Sequence, residues 1–128
     1  MSHFSKIKTH ITDKDLLIQS IRDLGYTVNT DKTSIKGFRG EETPADLCIS
    51  VPGEKYEIGF LCKEGRYDII ADWWGLGRLE KKTFHNQLAQ KYAYLAAKQS
   101  LSQQGFIIAR EETAPNGEIK LILRRMVE

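Results

Sequence analysis

Apolar and polar side chains alternate over residues 4–11, with Ile7, Thr9 and Ile11 on one side and Lys6, Lys8 and His10 on the other, which predicts a strand with one buried face. Thr12 then offers a helix N-cap with Asp15 at the third helical position, and Ile11 and Leu16 are placed to staple the cap. Leu17, Ile21 and Leu24 recur at helical intervals before Gly25, so a helix is expected over residues 13–24. Short strands are expected over residues 26–29, 35–38 and 45–51. The stretch 37–44, with Gly37, Gly40, Glu41, Glu42 and Pro44 close together, reads as a mobile loop.

Two longer strands, 56–62 and 67–74, face each other across Lys63-Glu64-Gly65-Arg66, and this hairpin is expected to form the middle of the sheet. A second helix is expected over 80–104, closed by Gly105. At about 100° per residue, Phe84, Leu88, Ala89, Tyr92, Leu95 and Ala96 form one apolar stripe, while Tyr94 and Leu101 project elsewhere. A last hairpin, 106–110 with 118–124, turns at Asn116-Gly117. This order predicts an α+β two-layer sandwich, a largely antiparallel sheet with two helices packed on one face. The expected core is Ile7, Leu17, Ile21, Leu24, Ile49, Ile58, Phe60, Ile69, Leu88, Tyr92, Leu95, Ile119 and Leu121.

A chain of 128 residues suits a single domain, 1–128, able to bury a core without metal or disulfide staples. No apolar run is long enough to cross a bilayer, so a soluble protein without membrane insertion is expected. The first residues carry neither a secretory nor an import pattern, which predicts a protein that works where it is made. Cys48 and Cys62 fall on strands joined by a tight turn at Pro52-Gly53-Glu54, in a register that keeps them apart. Two free thiols and a reducing compartment are the expectation. A net charge of +2 is too small to argue for nucleic acid. Arg78, Lys81, Lys82, Lys91 and Lys98 nevertheless gather around the second helix against the single acid Glu80.

Trp73 and Trp74 are the two tryptophans of the chain, and they are adjacent. Side chains alternate along a strand, so the indoles take opposite faces; Trp73 shares parity with Tyr67, Ile69 and Ala71 and is the expected core member. Trp74 shares parity with Asp68, Ile70 and Asp72. Those two aspartates invite a general acid–base reading, against which stands a simple polar strand face with no third participant. Gly75-Leu76-Gly77 between strand and helix resembles the start of a dinucleotide turn, but Glu80 occupies the third glycine position and no parallel crossover is present. His3 and His10 fall on opposite faces and His85 has no helical partner, so neither a metal nor a cofactor is expected. An enzyme is the less favoured class.

The opening Met1-Ser2-His3-Phe4-Ser5, the run Tyr67-Asp68-Ile69-Ile70-Ala71-Asp72-Trp73-Trp74-Gly75, the helical Gln90-Lys91-Tyr92-Ala93-Tyr94, and the ending from Gln104-Gly105-Phe106 to Leu123-Arg124-Arg125-Met126 together resemble the family of hypothetical chloroplast open reading frame 35. This is a domain of unknown function of cyanobacteria and algal plastids. The resemblance spans nearly the whole chain. It implies a plastid stroma, or the cytoplasm of a cyanobacterium, and an assembly helper linked to ferredoxin or photosynthetic proteins. It carries over no catalytic or ligand residue.

Two functions follow from the residues themselves. The first is a module that binds a protein partner through Trp74, Gly75, Gly77, Arg78, Lys91 and Tyr94, residue types that anchor interfaces. The alternative is a single-stranded nucleic-acid binder that stacks bases on the same aromatics and holds phosphates with Lys91, Lys98, Arg124 and Arg125.

Overall fold

In the computed structural model, which describes residues 4–76 and 80–125, the alternating segments pair into three antiparallel sheets accompanied by two α-helices. By their contacts these residues fall into two compact units, one through Tyr92 and one from Ala93 onward, the division lying within the second helix.

The first unit holds a five-stranded sheet in the order β1-β7-β6-β5-β2. Its strands are β1 (Phe4–Ile7), β2 (Thr27–Asn29), β5 (Leu47–Ser50), β6 (Glu57–Lys63) and β7 (Arg66–Asp72). Register follows the apolar alternation, with Phe60 opposite Ile69 and Ile58 opposite both Ala71 and Ile49. That places the β6–β7 hairpin inside the sheet, as its pattern predicts. β1 is shorter than the alternation of residues 4–11 implies. Beyond Ile7 the hydroxyl of buried Thr9 donates to the Tyr67 carbonyl and accepts from the Ile11 amide at 3.0 Å, so a side chain takes over where ladder bonds stop.

The first helix, α1 (Lys14–Asp23), is capped by Asp13 rather than Thr12. The Asp13 carboxylate accepts from Leu16 N at 3.1 Å, where an anion also meets the positive end of the helix. The amide of Asp13 donates instead to the Tyr92 hydroxyl at 3.0 Å. Leu17 and Ile21 of α1 share one apolar cluster with Leu47, Ile49, Ile58, Phe60 and Ile69 and with Phe84 and Leu88 of α2 (Lys81–Gln103).

The opposite face of β7 and β6 presents Ile70 and Gly59. Here the strand expected over 35–38 forms as β3 (Ser34–Lys36), and the end of the segment 37–44 expected to be a loop forms its partner, β4 (Glu42–Pro44), the two joined through a kinked 3-10 turn, Phe38–Gly40. Ile35 and Ala45 pack on Cys48 and Ile70 as a smaller cluster. Gly59 makes this possible, because a Cβ there would stand 2.8 Å from Ala45 Cβ. Cys48 lies opposite Gly59 and Cys62 opposite Tyr67; both thiols are free, Cys48 buried and Cys62 exposed.

The second unit comprises the rest of α2 and a two-stranded ribbon, β8 (Phe106–Thr113) with β9 (Ile119–Arg125). The turn falls at Asn116-Gly117 as expected, with Glu118 N donating to Asn116 Oδ1 at 3.1 Å and Gly117 at φ 90°. The core assignment of Ile119 and Leu121 is corrected. Ile119 is 38 % exposed and Leu121 half-buried, because the ribbon is a separate sheet and no third strand pairs with it among the described residues. Leu95 is half-buried as well.

Candidate functional site

β7 ends at Asp72, two residues earlier than its apolar pattern suggests, and Trp73–Leu76 turns through one 3-10 helix. The two indoles still diverge. Trp73 packs against the main cluster, 5.9 Å from the Phe84 ring, whereas Trp74 is 86 % exposed.

Trp74 and Gly75 border a cleft of about 340 Å³ that is otherwise lined by Phe38, Tyr56 and Asp72. Each comes from a different part of the chain. Phe38 sits in the turn between β3 and β4, Tyr56 precedes β6, and Asp72 is the last residue of β7. Glycine shapes the walls. A Cβ on Gly75 would stand 1.6 Å from Tyr56 Cε2, so the phenol ring lies directly against the Gly75 backbone. A Cβ on Gly37 would come within 2.7 Å of Phe4 Cζ and 3.0 Å of Asp72 Oδ2.

Asp72 is fully buried. Its Oδ2 accepts from the Phe38 amide at 2.9 Å, while its buried Oδ1 has no hydrogen-bond partner among the described residues. The neighbouring Arg39 has left-handed backbone, φ 56°, and its guanidinium lies 5.1 Å from the Phe38 ring centroid. The arrangement is an aromatic-walled cleft with a buried carboxylate. Such surroundings suit a positive group, which aromatic faces and an anion both attract.

Asp68 shares Asp72's face but does not line this cleft. It is 3 % exposed, and its Oδ1 lies 3.7 Å from Arg66 Nε. Four residues of strand separate the two aspartates by about 13 Å, too far for a shared proton. The two aspartates are therefore independent buried carboxylates, and the disfavoured acid–base reading gains no support from their placement. Cys48 makes a poor nucleophile: burial, reinforced by Glu57, pushes its thiol pKa up, and its Sγ lies 3.4 Å from the Ser34 carbonyl. Among the described residues no group of His, Cys, Asp or Glu could hold a metal ion, and no helix is long and apolar enough to cross a membrane.

Of the residues singled out for partner binding, Trp74 and Gly75 meet at the cleft, while Gly77 and Arg78 lie outside the described residues. Lys91 is half-buried on α2 and does not line the cleft. Tyr94 belongs to the second unit, where its hydroxyl bonds to the Glu111 carboxylate and Lys98 Nζ lies 5.1 Å from its ring centroid. That carboxylate holds the Tyr94 phenol above its ordinary pKa. Arg125 likewise lies over Phe106 at 5.1 Å, so two of the cations suited to phosphate already rest on aromatic rings. Sequence reasoning missed Phe38 and Tyr56. The one local signal was the glycines on either side of Phe38-Arg39.

The chain is thus a mixed α/β protein of mostly antiparallel sheet carrying an aromatic cleft at the end of its central hairpin. It belongs to the family described as protein of unknown function (DUF1257), whose model matches residues 20–122. It is 38 % identical over 128 residues to a protein of Guillardia theta named uncharacterized protein ycf35, with 98 % of each chain covered. Proteins of the same name from Pyropia yezoensis and Cyanophora paradoxa are 34 % and 30 % identical, again over 98 % of each chain. That shared name, of a chloroplast open reading frame, points to a plastid origin. No solved structure matches the chain.

Proposed function

We propose that this protein is a binding module that docks a protein partner through Trp74 and the cleft beside it. The observation that carries the reading is the 86 % exposure of Trp74 next to a core-facing Trp73. An indole held in water forgoes much of the stabilisation that burying it in a core would bring, and tryptophan is enriched among residues that dominate interfaces. Gly75, which lets Tyr56 close against the backbone, belongs to the same surface, and the proposal also counts Gly77, Arg78, Lys91 and Tyr94 among the residues that contact the partner. The reading includes one domain, 1–128, built as a two-layer sandwich with both helices on one face of the sheet. The shared cluster of α1, α2 and sheet residues supports that arrangement. An assembly role in the plastid stroma, with a partner linked to ferredoxin or photosynthetic proteins, is the extension that the family resemblance implies.

The two tryptophans test it against each other. Tagged Trp73→Ala and Trp74→Ala proteins are recovered from the native compartment and compared with the unaltered chain for thermal midpoint and bound species. Trp73→Ala is expected to lower the midpoint. Trp74→Ala is expected to hold stability within about 0.5 kcal/mol, as surface changes do, and to lose a bound protein. Unfolding of both variants makes the pair structural and removes the reading.

A further inference from the structure

Resting on the reading of Trp74 as a partner anchor, we infer that the cleft beside it receives the ammonium group of a lysine side chain presented by that partner. Three aromatic side chains, Phe38, Tyr56 and Trp74, and the buried Asp72 line the cleft. A carboxylate inside protein with one oxygen unpaired is costly, because its charge has lost water without gaining a partner in exchange. Asp72 stands in that state: the Phe38 amide occupies Oδ2, and Oδ1 is buried with no hydrogen-bond partner among the described residues.

The remaining acceptor also selects the kind of cation. A guanidinium is recognised best by a carboxylate that offers both oxygens to its fork of N–H donors. Asp72 has one to give, which matches the compact, rotatable donor of an ammonium. Aromatic faces attract the same charge, as the Arg39 guanidinium 5.1 Å from the Phe38 ring centroid illustrates. A volume of about 340 Å³ admits the end of a lysine side chain with its methylenes against the rings. Oδ1 is buried, so contact with the ammonium requires side chains around Asp72 to move aside.

The probes are Nα-acetyl-lysine methylamide, its arginine counterpart, and Nα-acetyl-norleucine methylamide, which keeps the methylenes and lacks the charge. Each is titrated into the full chain while the Trp74 indole Nε1–H and the Phe38 amide are followed by nuclear magnetic resonance. The lysine probe is expected to shift both signals saturably and more tightly than the arginine probe, and the norleucine probe to leave them in place. Asp72→Asn, which keeps an acceptor for the Phe38 amide, is expected to weaken the lysine probe about tenfold or more, in line with a charge-assisted hydrogen bond lost. Trp74→Leu, a change at an exposed position, is expected to weaken it while leaving the fold intact.

Equal binding of norleucine and lysine, tighter binding of arginine, indifference to Asp72→Asn, or no saturable shift with lysine each overturns the inference. None of these touches the broader reading, which falls on different evidence: a Trp74→Ala chain that keeps every partner the unaltered chain binds.

Discussion

On one face of the five-stranded sheet, Leu47, Ile49, Ile58, Phe60 and Ile69 are fully buried together with Leu17 and Ile21 of α1 and Phe84 and Leu88 of α2. On the other face, the β3–β4 hairpin and Phe4 cover Cys48 and Ile70, and the same surface buries Asp68 and Asp72. The first is a large apolar layer in which each side chain gains from removal from water. The second is thin, depends on Gly59 for close approach, and encloses charges that oppose its own stability. The difference separates two jobs. The helix-associated face holds the fold together, and the hairpin-covered face carries the groups placed for binding.

The comparison breaks most directly at Leu88. Leu88→Ala removes a fully buried side chain from the larger cluster and is expected to cost about 2–5 kcal/mol in urea or thermal unfolding. An unchanged midpoint would mean that this part of α2 does not face the core. Gly59→Ala probes the thinner face, where the new methyl would meet Ala45 and Ile35 at 2.8 and 3.1 Å. Overpacking there is expected to cost about 1–3 kcal/mol. Indifference would show that the β3–β4 hairpin shifts freely on the sheet. The smallest effect is expected at Asp72. Asp72→Asn removes the charge while preserving an acceptor, so stability should stay within about 1 kcal/mol of the unaltered chain or rise. A loss near the range for breaking a buried ion pair, about 3–5 kcal/mol, would reveal that the carboxylate has a partner in the folded chain.

Period-two alternation carried much of the fold. It placed Ile58, Phe60 and Ile69 on one face and Trp73 inward, and the assignment of Trp73 survives although β7 stops at Asp72. A residue directly after a strand inherits the direction set by the last paired residues. Where two neighbours offered the same chemistry, sequence alone could not choose: Thr12 and Asp13 can both cap a helix, and the outcome turned on Tyr92, eighty residues away from Thr12 along the chain, taking the backbone amides. Alternation also implied a buried face for residues 118–124. Ile119, Ile122 and Leu123 remain exposed because a pattern states which residues would be buried and not whether an element arrives to cover them.

The cleft was half legible for the same reason. Trp74 and Gly75 lie beside the strand end that draws attention to them, and Asp72 was visible as a strand carboxylate. Phe38 and Tyr56 join them only through folding, from a turn and from the residue before another strand. Closure between such distant segments leaves no periodicity to detect. What remained in the sequence was glycine, at Gly37 and Gly75, where backbone or ring approaches too closely for any side chain.

The adjacent indoles give the molecule a built-in optical contrast. Trp73, whose Nε1 is buried without a hydrogen-bond partner among the described residues, emits from a dry setting, and Trp74 from a wet one. Iodide in solution should extinguish the redder share of the emission and spare the bluer. Two neighbouring residues thus report separately, and without any added dye, on the state of the interior and on events at the cleft.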